Sequence, residues 1–439
     1  MGFRHFLAFS LTVFMSLVMT PSQAALTIEI SEGFDNALPI AVVPFQGQGA
    51  ISQPVSEVIG ADLKRSGRFK PLDLRQMPSQ PSELSEIAYD QWRTFNIDNM
   101  VIGKVIPTGN GLYQVEMRLV NVLRKEQVMG KRWNNIPESS LRQVAHQISD
   151  AIYEELTGVR GAFNTQIAYV TLERRAGKRF YTLEVADADG YNPQPILRSN
   201  QPIMSPSWSP DGSKLAYVSF EENRSQVYIQ SLDGSFRQKV AGFRGINSSP
   251  TWSPDGKKLA LTLSKNGNPD IYIMDVFTRD LQQVTFDRAI ETEAAWAPDG
   301  RSIYFNSDRR GQPQVFQLFL DSKQEQRVTF EGKYNSNPEI SPDGRHMAVV
   351  HGGNGYHIGL MDLQSKRFKV ITKTYLDESP SFSPNGELIL YAMNKGGRGQ
   401  LAVVTLDGKS SQTLQVKNAE VRESAWGPYL KSSASNANP

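Results

Sequence analysis

A five-residue motif recurs through the second half of the chain and constrains its fold more than any other feature. The pattern Trp-x-Pro-Asp-Gly begins at Trp208 and returns, with small changes, until a degenerate sixth copy at Trp426. The repeating unit around each copy of the motif predicts four short strands. Four-stranded units that repeat every 40–50 residues or so are typical of β-propeller blades. The sequence therefore predicts an all-β, six-bladed β-propeller over residues 165–430. The motif prolines, spaced by 44, 44, 44, 42 and 44 residues, are Pro210, Pro254, Pro298, Pro342, Pro384 and Pro428.

The two ends of the repeat region indicate how the ring closes. Ile167 to Val170 aligns with the second strand of a unit, but no first strand precedes it. The missing strand is found at the other end of the region, at Glu423 to Trp426. We therefore expect the last strand to complete the first blade, which would hide a sheet edge that otherwise invites aggregation.

Residues 37–160 lack the repeat and predict a separate α/β domain in front of the propeller. A buried strand at Pro39 to Phe45 is followed by a helix that Ser52 caps, and a second helix is expected near Ser82. A strand and a hairpin should occupy residues 100–133. The apolar spacing of residues 139–156 predicts the last helix, which Gly158 ends.

The termini predict segments outside both domains. Phe6 to Met19 is an apolar run of 14 residues, shorter than the roughly 20 residues needed to cross a bilayer. Ser22 and Ala24 supply the small side chains of a signal peptidase site, so residues 1–24 are interpreted as a signal peptide of an exported protein. The Ser- and Asn-rich residues 431–439 are predicted to be a disordered tail.

Composition and motifs argue against several classes of function. A net charge of +2 gives no field for nucleic acid, and the absence of cysteine removes disulfides, thiolate zinc sites and cysteine nucleophiles. There is no Gly-x-Ser-x-Gly elbow of a serine hydrolase. His346 and His351 should face opposite sides of one strand, and Asp187 and Asp189 are interpreted as hairpin-turn residues. We expect no catalytic residues, no metal site and no cofactor.

In the order of its segments the chain resembles the TolB family, the periplasmic components of the Tol-Pal system of Gram-negative bacteria. The resemblance rests on the signal peptide, the stretch Leu38 to Phe45, the repeated motif and the closing stretch Ala425 to Leu430. It implies a non-enzymatic periplasmic adaptor that binds the lipoprotein Pal and the inner-membrane protein TolA. Such a protein maintains outer-membrane integrity and constriction during division, and bacteriocin translocation domains are further implied partners. Contact with membranes would be indirect, through Pal and TolA.

The resemblance also implies that Pal docks on the face of the propeller where loops lead into each motif strand. An exported propeller that binds carbohydrate or cell wall at the same mouth is the alternative, and exposed aromatic side chains with clustered acids would favour it. Ile246 to Ser248 departs from a His-Asn-Gly stretch that some family members carry. The implied Pal-binding residues, all assigned to the loops that lead into the motif strands, are Met204, Ser205, Ser248, Ser249, Thr292, Glu293, Asn335, Asn337, Asp377 and Glu378.

Residues 25–36 predict a partner-binding arm at the mature N-terminus. Leu26, Ile28 and Ile30 alternate with polar residues, which is the pattern of a strand with one apolar face. Such a strand can add to the edge of a partner's sheet. The resemblance assigns this arm to TolA, and the alternative is a fixed edge strand of the α/β domain.

Overall fold

The structure, a computed structural model of the 439-residue chain, describes residues 37–414, 416, 419–430 and 437–438. The predicted signal peptide (1–24) and arm (25–36), including Leu26, Ile28 and Ile30, lie outside the described residues. Among the described residues, no helix has the length and apolar character needed to cross a membrane.

The first part of the described chain is the predicted α/β domain. Its strands are β1 (Leu38–Val42), β2 (Phe69–Pro71), β3 (Asn99–Gly109), β4 (Leu112–Asn121) and β5 (Glu126–Pro137). Its helices are α1 (Val55–Arg65), α2 (Tyr89–Arg93) and α3 (Leu141–Thr157). β1 lies between β2 and β3 and runs parallel to both, and β4 and β5 continue the sheet as antiparallel neighbours. Single 3-10 turns are formed by Gln48–Ala50, Leu74–Gln76, Leu84–Glu86 and Glu138–Ser140.

Helices α1 and α3 pack on one face of this sheet because each carries an apolar stripe. Ile59 and Leu63 of α1 and Ile148 and Ile152 of α3 are buried in the same core cluster. Gly158 caps α3 at a φ of 74°, a left-handed conformation that glycine adopts without steric cost. The predicted end of this helix is confirmed.

The helix predicted near Ser82 is largely wrong. The Glu86 carboxylate accepts hydrogen bonds from the amides of Ser82 (2.7 Å) and Glu83 (3.2 Å), which closes a single 3-10 turn. Ile87 then becomes extended, with ψ of 110°, and its side chain is buried in the domain core. Burial of Ile87 therefore ends a helix that the local pattern alone would have continued, and only the short α2 follows.

The rest of the described chain forms six four-stranded antiparallel sheets, the blades of a propeller. Blade 1 contains β6 (Gln166–Arg175), β7 (Lys178–Asp187) and β8 (Gln194–Ser199). Blade 2 is β9 (Ile203–Trp208), β10 (Lys214–Ser219), β11 (Gln226–Ser231) and β12 (Arg237–Ala241). Blade 3 is β13 (Asn247–Trp252), β14 (Lys258–Leu263), β15 (Asp270–Asp275) and β16 (Leu281–Gln283). Blade 4 is β17 (Glu291–Trp296), β18 (Ser302–Ser307), β19 (Gln314–Phe319) and β20 (Glu325–Arg327).

The last two blades and the closing strand complete the ring. Blade 5 is β21 (Tyr334–Ile340), β22 (His346–Gly353), β23 (Gly355–Asp362) and β24 (Phe368–Val370). Blade 6 is β25 (Tyr375–Phe382), β26 (Leu388–Lys395), β27 (Arg398–Thr405) and β28 (Ser411–Leu414). β29 (Glu420–Trp426) pairs antiparallel with β6, so it is the innermost strand of blade 1, as predicted. In the predicted disordered tail, β30 (Ala437–Asn438) pairs with β5, and the other tail residues lie outside the described ones.

The motif residues hold neighbouring blades together. Trp208 of blade 2 donates its indole hydrogen bond to the Ala425 carbonyl of blade 1 (3.2 Å), and Trp296 bonds Thr251 of blade 3 in the same way (3.1 Å). At the motif turn of blade 3, Gly256 has a φ of 70° and sits against Pro210 of blade 2. The tryptophans are therefore packing residues between blades.

The α/β domain rests on the face of the propeller that carries the motif turns, at blades 1 and 6. Asn385 in the blade 6 turn donates a hydrogen bond to the Arg160 carbonyl (3.0 Å), and the neighbouring Glu387 pairs with Arg68 (2.5 Å). Because each innermost strand runs from the opposite face to its motif turn, the α/β domain leaves the other mouth of the channel uncovered.

A buried charge cluster, which we call the interface cluster, joins the two domains. It consists of Asp62 and Arg65 on α1, Arg142 and His146 on α3, and Asp189 in the turn after β7. His146 Nδ1 lies 2.7 Å from Asp62 Oδ2, Arg65 lies 2.9 Å from Asp62 Oδ1, and Arg142 pairs with Asp189. Burial lowers the pKa of His146, but Asp62 and Asp189 outweigh burial and leave it raised. Asp189 is in a hairpin turn as predicted, and its carboxylate serves this interface.

Candidate partner-binding site

Every innermost strand of the propeller carries a residue with left-handed backbone geometry three positions before the last residue of the strand. Each of these residues lies at a break in the pairing with the second strand, so it forms a β-bulge. A non-glycine residue in this conformation costs about 1–2 kcal/mol, and such strain collects at functional sites. We call these six residues the bulge ring: Ser205 (φ 51°), Ser249 (49°), Glu293 (55°), Asn337 (50°), Ser379 (52°) and Glu423 (55°).

The structure places the ten implied Pal-binding residues on these strands at three successive levels. Those in the bulge ring are Ser205, Ser249, Glu293 and Asn337. Those one residue earlier are Met204, Ser248, Thr292 and Glu378, and the two that precede them are Asn335 and Asp377. The prediction that all ten lie in loops is wrong. Ser, Glu and Asn at positive φ leave no glycine to mark the bulge, so the pattern starts each strand too late.

Asn335 and Asp377 are buried and support the connections between blades. The Asn335 amide donates to the Glu331 carbonyl (2.7 Å), and the Thr372 hydroxyl donates to the Asp377 carboxylate. Their exposed fractions are 0% and 1%. These two side chains therefore hold the connections between blades in place, and they are not exposed at the surface of the mouth.

The bulge ring surrounds a cavity of about 1080 Å³ that is rich in carboxylates. Burial raises the pKa of Glu339 to about 8 and, with help from Glu378, that of Glu423 to about 7. Burial also raises the pKa values of Glu293 and Glu378. Among the described residues that line the cavity, Arg422 is the only cation. The cavity therefore offers hydrogen-bonding carboxyl groups to a partner, and burial shifts them towards their neutral form.

Two of these glutamates connect bulges of neighbouring blades. Glu423 Oε2 accepts the amide hydrogen bond of Ser205 (3.1 Å), and Glu293 Oε2 accepts that of Asn337 (3.0 Å). Each bond ties one bulge to the next around the ring. A partner that shifts one bulge would therefore also shift the bulge of the adjacent blade that is hydrogen-bonded to it.

The rim of the mouth is more apolar than the sequence indicated. Met204, Ile246 and Leu376 line the cavity and are 40–44% exposed. Tyr334 and Tyr356 meet edge to face, with ring centres 5.2 Å apart, beside them. Leu376 also has a φ of 55°, which is exceptional for a bulky side chain. Apart from Met204, sequence reasoning missed this rim, because its members lie in different blades, on strands and in the connections between them.

One group of described residues brings His, Asp and Glu side chains close enough to hold a metal ion: Asp62, His146 and Asp189. It belongs to the interface cluster and not to the mouth. Arg65 and Arg142 already bring positive charge to the two carboxylates.

Comparison with known proteins follows the same two-domain order. A family model described as the TolB amino-terminal domain matches residues 26–128, and one described as the TolB beta propeller domain matches residues 153–430. The chain belongs to the TolB family.

Two relatives and one solved structure extend over nearly the whole chain. The Tol-Pal system protein TolB of Hydrogenovibrio crunogenus is 61% identical over 425 residues, which cover 96% of this chain and 98% of that protein. TolB of Xanthomonas oryzae pv. oryzae is 51% identical over 431 residues, covering 97% of this chain and 98% of that protein. The crystal structure of TolB from Acinetobacter baumannii is 39% identical, with a TM-score of 0.85, and covers 92% of this chain and 100% of that one.

Proposed function

We propose that the chain is a non-enzymatic periplasmic adaptor of the Tol-Pal system. In this proposal the mouth of the propeller binds Pal and the arm of residues 25–36 binds TolA. Through these contacts the protein maintains outer-membrane integrity and constriction during division. Bacteriocin translocation domains would compete for the same mouth.

The observation that carries the proposal is the bulge ring, because strained backbone, buried carboxyl groups and an exposed apolar rim meet there. Interfaces gain most of their energy from a few central residues that are surrounded by a rim. Here the centre offers backbone and carboxylate acceptors, and the rim offers Met204, Ile246 and Leu376. The mouth also faces away from the α/β domain, so a folded partner can reach it without displacing a domain.

The arm is assigned to TolA on the family resemblance and on its strand pattern. Backbone hydrogen bonds of an added strand supply affinity, and the alternate side chains Leu26, Ile28 and Ile30 select the partner. The arm leads directly into β1 at Leu38, which bonds Arg68 at the domain interface (2.8 Å). Leu38 lies on the side of the molecule away from the mouth, which supports separate docking places for the two partners.

One binding experiment with two reciprocal variants tests both contacts. Calorimetry should show that Ser249→Trp or Thr292→Trp weakens Pal binding at least tenfold, because a bulky side chain at the mouth blocks docking. Both variants should keep wild-type TolA affinity, and Thr292→Trp, which lies outside the left-handed position, should also keep the wild-type melting curve. Removal of residues 25–36 should do the reverse, abolishing TolA binding while leaving Pal affinity unchanged. Wild-type Pal affinity in both tryptophan variants would exclude the mouth, and TolA binding by the shortened chain would exclude the arm.

A specific observation also favours a second candidate, a propeller that binds carbohydrate or cell wall. Tyr334, Tyr356 and the exposed Tyr375 lie near the mouth together with Glu293 and Glu378, and acids beside aromatic rings suit sugar hydroxyls. Tyr334 and Tyr356 pack against each other edge to face, however, which leaves no open stacking platform between them. Calorimetric binding of muropeptides, with no binding of Pal, would favour this second candidate.

A further inference from the structure

The junction between blades 4 and 5 departs from the packing of the three junctions before it. In each of those, a motif tryptophan packs in one core cluster with an alanine from the second strand of the preceding blade. Between blades 4 and 5, Ile340 takes the place of the tryptophan and Tyr304 takes the place of the alanine. The side chains at this junction therefore differ in shape and polarity from those of its neighbours. The three regular pairs are Trp208 with Ala168, Trp252 with Ala216 and Trp296 with Ala260.

A cavity of about 580 Å³ lies at this junction, within the range of about 300–1,000 Å³ that is typical of small-ligand sites. Tyr304, Phe319 and Ile340 form its apolar wall. It opens on the face that carries the motif turns, because Asp299 and Asp343 belong to those turns and also line it. The contacts of the α/β domain described above lie on the same face at blades 1 and 6. The cavity therefore lies apart from the domain interface and on the opposite face from the mouth.

The Tyr304 side chain lines the cavity without a hydrogen-bond partner. Ser302 is directly opposite Phe319 and Tyr304 directly opposite Gln317, so all four side chains share one face of blade 4. Gln317 and Ser302 bond each other (2.9 Å). Tyr304 is only 8% exposed, yet its hydroxyl has no hydrogen bond to a described residue. Burial and the nearby Asp299 raise the pKa of Tyr304, so the hydroxyl keeps its proton. Buried polar groups normally have a partner, which leaves this hydroxyl available to a ligand.

Carboxylates outnumber cations around the opening. Among the described residues, none forms a hydrogen bond or ion pair with the Asp321 carboxylate, and the Asp299 carboxylate accepts only the Arg301 amide (2.9 Å). Asp343 pairs with the arginine two positions later (3.7 Å). Arg301 is the one cation in the described lining, and it forms no ion pair with these carboxylates, while Lys323 follows Asp321 in its turn without lining the cavity. Two carboxylates therefore remain free for a cationic group.

The same kinds of groups already hold an arginine elsewhere in the propeller. In blade 2, Arg237 donates to the Tyr217 hydroxyl (2.7 Å), lies 4.1 Å from the ring centre of Tyr228 and pairs with Glu221. A guanidinium group suits such a site because it is planar and can stack on a ring while its N–H groups bond oxygens. The cavity offers a counterpart to each contact, namely a tyrosine hydroxyl, a phenylalanine ring and free carboxylates.

We propose that this cavity binds an arginine side chain of a partner protein that docks on the face opposite the mouth. The guanidinium would lie against Phe319, bond the Tyr304 hydroxyl and pair with Asp299 and Asp321. Lysine fits less well, because its compact ammonium cannot stack and bond in this way. The proposal goes beyond the contacts with Pal and TolA and does not depend on either. A protein bound here leaves the mouth free, so both faces of the propeller can be occupied together.

A titration with capped peptides tests the proposal on the mature full-length protein. The peptides are acetyl-Gly-X-Gly-amide with arginine, lysine or citrulline as X, and citrulline has the shape of arginine without its charge. The reporter is the ¹³C-labelled methyl group of Ala297, which lines the cavity and is assigned with Ala297→Ser. The arginine peptide should give a saturable shift of this methyl signal. The lysine peptide should bind at least fivefold more weakly, and the citrulline peptide should give no saturable shift.

Variants of the cavity separate this site from others on the surface. Asp321→Asn and Tyr304→Phe should each weaken arginine-peptide binding at least threefold and keep the wild-type melting temperature, because neither group has a partner to lose. The double variant Tyr304→Ala with Ile340→Trp recreates the pairing of Ala260 with Trp296, so it should fill the junction and abolish binding while remaining folded. Asp233→Asn, at the equivalent turn position of blade 2, is the matched control and should bind as wild type.

Three results would overturn the proposal. They are equal binding of the arginine and citrulline peptides, unchanged binding by the folded double variant, and a saturable shift at other methyl groups while Ala297 stays still. Agmatine, a free guanidinium compound, distinguishes a small cation from a protein side chain. It should bind within tenfold of the arginine peptide, and a larger preference for agmatine would assign the cavity to a small cation and overturn the role of a partner protein.

Discussion

Glu339 occupies a channel-facing position that small side chains fill in the other five blades. Its counterparts, at the same register against the second strand, are Ser207, Thr251, Ala295, Ser381 and Ala425. The Glu339 carboxyl has no hydrogen bond to a described residue, and burial raises its pKa to about 8. One long acid in a ring of small side chains is a stability cost inside the channel.

We predict that Glu339→Gln stabilises the protein in a pH-dependent way. A carboxyl with a folded pKa above its unfolded value destabilises the folded state as pH rises from about 4.5 to 8. The variant should gain up to about 4 kcal/mol in free energy of unfolding at pH 8 and little at pH 4.5. Urea unfolding at both pH values measures this, with Glu331→Gln, at an exposed position in the connection leading into blade 5, as the control. Equal effects at the two pH values would contradict the prediction.

At the scale of strands, β29 is covalently distant from the blade that it completes. Trp426 is buried, and its indole donates to the Thr165 hydroxyl (2.9 Å), while Ala425 and Trp426 pair with Ala168 and Ile167. Without β29, the β6 edge would be open to solvent and the buried Tyr169 would lose its cover. The pairing of β29 with β6 thus protects both the first and the last strand of the propeller.

Removing residues 420–439 should therefore lower the melting temperature by at least about 10 °C and promote aggregation, because it opens a sheet edge and a core. Removing only residues 431–439 should change it by no more than a degree or two. Scanning calorimetry and light scattering of the two truncations measure the difference. Small, equal effects would show that the shared blade contributes little.

At the scale of strands, some features of the structure could be predicted from the sequence and others could not. The blades were predictable because proline and glycine mark each motif turn, and closure followed from counting strands at the two ends. The bulge ring was not predictable, since Ser205, Glu293 and Glu423 adopt left-handed geometry that only the surrounding blades impose. The contact of Asp189 with Arg142 was equally hidden, because nothing local relates a propeller turn to a helix of another domain.

At the scale of the whole molecule, the interface cluster makes the two domains behave as one unit. Burial lowers the stability of an ion unless its partners are in place, and removing one partner leaves the others uncompensated. Asp189 is held in its ionised form here. Burial raises its pKa, but His146, Arg65 and Arg142 outweigh burial and leave it lowered.

We predict that Asp189→Asn weakens the domain contact by about 3–5 kcal/mol and splits thermal unfolding into two transitions. Asp187→Asn, in the same turn, is the matched control, because burial raises the pKa of Asp187 to about 6. Its charge therefore disfavours the folded state above that pH, and the variant should be neutral or slightly stabilising at pH 7. Calorimetry at pH 7 distinguishes the two. A single transition at the wild-type temperature in Asp189→Asn would show that other contacts hold the domains together.

The shared blade also ties the fold to the direction of protein synthesis. Residues 261 positions apart, Thr165 and Trp426, must meet before the ring is closed. The ribosome makes the strand at Glu420–Trp426 after every other blade strand, so blade 1 lacks its innermost strand until then, while blades 2 to 6 already have all four of theirs. A prematurely terminated chain lacks this strand, so its β6 edge stays exposed and available to chaperones and proteases. The ring thus provides a built-in check that translation has reached its end.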